Sequence, residues 1–172
     1  MMLRFLGDGD GKYRLVNAGD REVGWIRGRV VGFRGFDSEE RAVAAAVAGA
    51  AALGTFLKKQ TGRRHLPEPS GPLRLVHDGA HEWVSDGRIP VARLGRPPTP
   101  AADVPAAAPA GDAAGGSGDG SFSIEFVLPM AATEATAIHA ATRVHAAIER
   151  TNERTNEVRA VTVPNEEAVR CA

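Results

Sequence analysis

Along the first third of the chain, apolar and polar residues alternate in short runs broken by glycine-bearing turns. That period of two belongs to half-buried strands. Leu3 to Leu6 makes one run, Asp8-Gly9-Asp10-Gly11 signals a turn, and Lys12 to Val16 makes the next, so the pair reads as a hairpin. Asn17 to Asp20 marks another turn, and strands about Glu22 to Ile26 and Arg29 to Arg34 follow, joined at Arg27-Gly28.

The period then changes. Asp37-Ser38-Glu39-Glu40 announces a helix in which Asp37 caps the first turn and Glu40 reaches back in a capping box. The helix is expected to run to about Thr61, with Lys58 and Lys59 near its negative end and Gly62 as the stop. Val43, Val47, Ala50, Gly54 and Leu57 recur at helical spacing, flanked by Ala46, Gly49 and Leu53. So many small residues allow another backbone to approach closely. Val43, Val47, Gly49, Ala50, Gly54 and Leu57 are therefore candidate interface residues, to be covered by the molecule's own sheet, by a second helix, or by the matching helix of a dimer partner.

After a proline-bearing link over 66–72, Arg74 to Glu82 can be laid on Arg14 to Glu22, matching Arg, Leu, Val, Gly and Glu in step, and Gly87-Arg88-Ile89 matches Gly28-Arg29-Val30. The match predicts an internal duplication. Residues 95–120 are crowded with Pro, Ala, Gly and Ser and lack apolar periodicity, which predicts a disordered linker. Phe122, Ile124 and Phe126 then alternate as in a strand, and a helix is expected from near Pro129 with Ala137, Ala141, Val144 and Ile148 on one stripe. Val158 to Val163 reads as a last strand ended by Pro164.

The expected fold is α+β: tandem, pseudo-duplicated antiparallel β-β-β-α units, each with an Ala-rich helix packed on a small sheet. Residues 1–65 form the first unit, 66–72 the link, 73–94 plus 121–163 the second unit, and 164–172 a C-terminal tail. This outline is similar to small bacterial β-β-β-α modules that occur in tandem, and no specific motif ties it to a named family.

Composition narrows the function classes. The 172 residues carry no formal net charge, yet residues 1–94 hold 15 basic and 11 acidic groups, a balance of +4, and residues 95–172 hold 6 and 10, a balance of −4. The halves can attract each other, or the first can meet an acidic partner. Cys171 is the only cysteine, which excludes an intramolecular disulfide and a cysteine zinc cluster. The N-terminal apolar stretch is too short for a signal sequence, and the run Ala42 to Leu57 is shorter than a usual membrane span, so a cytoplasmic protein without membrane contact is expected.

Three constellations carry chemistry. His77 and His81 flank an expected three-residue loop and could face each other as two zinc ligands, with no third ligand evident. Arg27, Arg29 and Arg34 line a hairpin with Trp25 and Phe33, while Lys58, Lys59, Arg63 and Arg64 make a second basic cluster; arginines beside rings suit single-stranded nucleic acid. Trp25 and Phe33 read more simply as core residues. The four-residue repeat Glu149 to Glu157 reads as a solvated helix face. No nucleophile elbow or P-loop occurs, and no cofactor is implied.

The expectation is a small bacterial-type, non-catalytic binding or self-associating module, leaning away from an enzyme, whose partner is a second copy or another protein. Weak single-stranded nucleic-acid binding through the Arg-rich hairpin is the second reading. A metal-dependent hydrolase using the His-x3-His hairpin is the third.

Overall fold

A computed structural model describes residues 2–60, 72–79, 81–88, 90–97, 120–128 and 133–162. The links and tail expected at 66–71, 98–119 and 164–172 lie outside the described residues. The chain is α+β, and the described residues form eight strands and two helices: β1 Arg4–Gly9, β2 Lys12–Val16, β3 Glu22–Arg27, β4 Val30–Phe36, α1 Glu39–Gln60, β5 Arg74–Asp78, β6 His81–Ser85, β7 Pro90–Gly95, β8 Phe122–Val127 and α2 Glu134–Thr162.

All eight strands pair antiparallel in one sheet, in the order β1-β2-β3-β4-β8-β7-β6-β5. The first four strands occupy one half and the last four the other, joined where β4 meets β8. The two halves, each expected to pack a helix on a small sheet, share a single one, and each half holds four strands rather than three. Place in the sheet sets β5 against β1 as the two edges, whereas the sequence match lays β5 on β2. That match therefore pairs strands holding different positions, as short hairpins of similar composition readily do.

Cross-strand neighbours share a face, so the register sorts the side chains. Phe5, Leu15, Gly24, Phe33, Ile124 and Leu94 form one row, and Tyr13, Ile26, Val31, Phe126, Ala92 and Val84 the next. These rows meet both helices in one core that also buries Ala45, Ala46, Leu53, Phe56, Ala140, Ala141 and Val144. The helices pack against each other; α1 rests chiefly on β8 and β7, and α2 on β3 and β4. Each helix thus covers strands of the other half, which corrects the expectation that each unit covers its own sheet. Full burial of one Phe, Ile or Leu contributes about 1.5–3 kcal/mol, so this shared core, rather than either half, holds the fold.

Local chemistry sets the helix ends. Ser38, not Asp37, is the N-cap of α1: its hydroxyl accepts from Arg41 N–H at 3.3 Å, and its carbonyl accepts from Ala42 N–H at 3.1 Å. Asp37 instead pairs with the Arg41 guanidinium at 2.5 Å. Thr133 caps α2, accepting from Thr136 N–H at 3.3 Å, so that helix starts after the expected Pro129. It then runs through Thr162, where a strand was expected over 158–163: each residue added to an existing helix gains a backbone hydrogen bond.

Candidate functional site

The small-residue face of α1 is consumed inside the molecule. A Cβ built on Gly49 would lie 2.7 Å from Phe126 Cζ and 3.2 Å from Val144 Cγ1, so this glycine marks where α1 crosses both β8 and α2. Leu57 is buried in the core, Val43, Val47 and Ala50 pack against it, and Gly54 is partly buried. By length and composition Glu39–Leu57 could also cross a membrane; here its buried residues sit against the sheet and α2, the place of a core helix.

The histidine hairpin has a tighter register than expected. Asp78 stands opposite His81 and His77 opposite Glu82, so the pairing runs to the facing ends of both strands, with Gly79 at φ 57° just beyond it. Alternation then sends the His77 and His81 side chains to opposite faces. His77 Nδ1 lies 3.1 Å from Glu82 Oε1 instead. Among the described residues no three His, Cys, Asp or Glu side chains gather as a metal site.

Glu82 belongs to a different cluster. Arg96 donates from Nε and Nη2 to its two carboxylate oxygens, each at 2.6 Å, and Nη2 also lies 3.1 Å from Glu39 at the start of α1. The Arg96 hydrogen bonds hold the Glu82 carboxyl below the usual carboxylate range, against the partial burial that raises it. Arg96 fell in the expected linker; it anchors the end of β7 to β6 and α1.

The arginine hairpin divides. Phe33 is buried under the helices, whereas Trp25 projects from the opposite side of the sheet and is only half-buried, which corrects its reading as a core residue. A Cβ on Gly32 would come within 2.2 Å of two carbons of the Trp25 indole, so the ring lies across the neighbouring strand where only glycine leaves room. The Arg27 guanidinium carbon stands 5.9 Å from the ring centroid. Arg29 sits in the turn, its carbonyl accepting from Leu128 N–H at 2.8 Å. Arg34 is tied to Glu22. Lys59 is exposed near the end of α1, on the other side of the sheet, and the side chain of Lys58, with Arg63 and Arg64, lies outside the described residues.

The register extends the Trp25 row across six strands: Arg14, Trp25, Gly32, Glu125, Arg93, Trp83. Arg14 and Arg93 are exposed, Glu125 and Trp83 half-buried, and at the margins of this face Leu6 is 40% and Val127 63% exposed. Among the described residues no element covers this face. Trp83 and Arg93 were not read as site residues; period-two alternation placed them opposite Val84 and Ala92 and was the available signal.

A second feature is a polar cleft of ≈ 170 Å³ between the β3–β4 strands, the start of α1 and α2, lined by Arg21, Arg41, His145, Glu149 and Asn152 among others. His145 is buried beside Phe33, with ring centroids 5.9 Å apart, and its Nδ1 is 3.6 Å from Glu149. Burial pushes the imidazole below its ordinary range, only partly offset by Glu149. Among the described residues no Ser, Thr, Cys or Lys lines the cleft, so none of them offers a side-chain nucleophile for this histidine to activate.

No protein-family model matches the chain, and no curated protein or solved structure matches it either.

Proposed function

We propose that this protein is a non-catalytic binding module that takes its partner on the uncovered face of the sheet. The observation that carries the reading is Trp25 laid across Gly32, in the same cross-strand row as Trp83, on the face away from both helices. Large aromatic rings are normally buried because each removes 150–250 Å² or so from water. Two of them kept at the surface of a sheet whose other side has a complete core favour contact with something outside the molecule. Of the two contact surfaces expected from the sequence, the helix over 43–57 and the first sheet, this placement favours the sheet, since α1 packs on β8 and α2.

The reading is tested by placing a photo-crosslinking residue at Val127 or Leu6, on the uncovered face, and at Thr142, exposed on α2, in the producing cell. Adducts from Val127 and Leu6 but not from Thr142 are expected. Adducts from Thr142 alone, or from none of the three, would sink it.

A further inference from the structure

The chemistry of the partner can be argued further, on the reading that the uncovered face is the contact surface. We propose that this face binds single-stranded nucleic acid, with bases stacked on Trp25 and Trp83 and phosphates met by Lys12, Arg27 and Arg93. Three observations carry the proposal.

The first is the attitude of the ring. Trp25 lies along the sheet rather than standing out of it, because Gly32 has no Cβ to lift it. A ring held flat presents its π-face outward, which suits another planar group; base–aromatic stacking tolerates any sequence because every base has such a face.

The second is spacing. Trp25 on β3 and Trp83 on β6 are separated by β4, β8 and β7 in one row. Four strand spacings of about 4.8 Å put them roughly 19 Å apart. At about 3.4 Å per stacked nucleotide this spans five to six nucleotides or so, within the range of single-strand binding sites.

The third is charge. Arg14 is met by Asp8 at 3.1 Å and Arg34 by Glu22, so those cations are largely neutralised. Lys12 pairs in register with Arg27, and Arg93 stands in the tryptophan row. None of these three has a carboxylate within ion-pair distance among the described residues. Three cations with no such partner thus stand on the face that also carries both rings. Glu125, between the two rings, accepts hydrogen bonds only, and so suits a base amino group rather than a phosphate. An acidic polypeptide would satisfy the cations but leave the flat Trp25 ring without a planar partner.

Trp25 and Trp83 are the only two tryptophans, so intrinsic fluorescence reports on this face alone. Titration of the full chain with the oligonucleotide dT12 should give saturable quenching whose log affinity falls with log salt at about −0.7 per phosphate met. Trp25→Ala should weaken binding at least about tenfold, and Trp25→Phe, which keeps a ring and the fold, should restore most of it. Arg143→Gln, on the helix side, should leave it unchanged. Absence of saturable quenching at low salt, equal binding by Trp25→Ala, or equal affinity for polyglutamate would overturn the proposal. If dT12 fails while crosslinks from Val127 persist and resist nuclease, the nucleic-acid inference falls and the contact face stands; if both fail, both fall.

Discussion

The indole of Trp25 occupies the space that any side chain on Gly32 would need. The pair fixes the ring flat on the sheet without burying it, and the relationship is testable by a single methyl group. Gly32→Ala should push the ring outward while the strand remains paired, because the clashing atoms are the far end of a movable side chain. Loss of ring contact is offset by the entropy gained on replacing glycine, so stability should change by less than about 1 kcal/mol. Tryptophan emission should shift to the red; an unchanged spectrum would show that Trp25 does not rest on Gly32.

Gly49 is the counterpart on the covered side. Gly49→Leu forces a side chain into Phe126 and Val144, atoms of a packed core that cannot move away. Overpacking of this kind costs about 1–3 kcal/mol, and a leucine at a helix crossing belongs at the upper end. Urea unfolding should show the loss with no accompanying change of oligomeric state. Full stability together with loss of a dimer would instead return α1 to the role of an interface.

The Arg96–Glu82 pair gives the protein an acid-sensitive anchor. Glu82 is lowered below its ordinary value in the folded chain, first through its hydrogen bonds to Arg96. Its contribution is therefore present above the ordinary carboxylate pKa and is lost as pH falls through the folded value. Arg96→Leu should lower stability at neutral pH and flatten the acid limb of a stability–pH curve; a curve parallel to that of the original protein would contradict the assignment.

His145 acts in the same direction at higher pH. Burial lowers its pKa in the folded state, so the unfolded chain binds more protons as pH drops below the ordinary imidazole value. Stability should fall from about pH 6.5 downward until the folded imidazole also protonates. His145→Gln should remove that slope while leaving the Glu82 slope at more acidic pH. Histidine C–H resonances followed by NMR would check the direction independently.

Much of the fold was legible from residue pattern. Period-two alternation located β1 to β4 and β8, and the polar cluster before α1 located its start. What alternation does not specify is which side of a strand is covered. Trp25 and Phe33 are both aromatic and sit on adjacent strands, yet the helices come down on Phe33 alone, a decision made by the whole core. The joining of both halves in one sheet was likewise hidden, since the β4–β8 contact links residues about 90 apart and has no local signal. The histidine hairpin was misjudged by one residue of turn length, enough to exchange the facing partners. Val158 and Val161 carry strand propensity, but α2 was already nucleated upstream and continued through them.

The most direct test of the binding face compares the original protein with a Trp25→Ala/Trp83→Ala double variant, each drawn gently from its producing cells and passed over a size-exclusion column. The original chain should elute with a bound partner, and the variant, with an unchanged circular-dichroism spectrum, should elute free. Identical elution of the two proteins, both bound or both free, would contradict a binding role for this face.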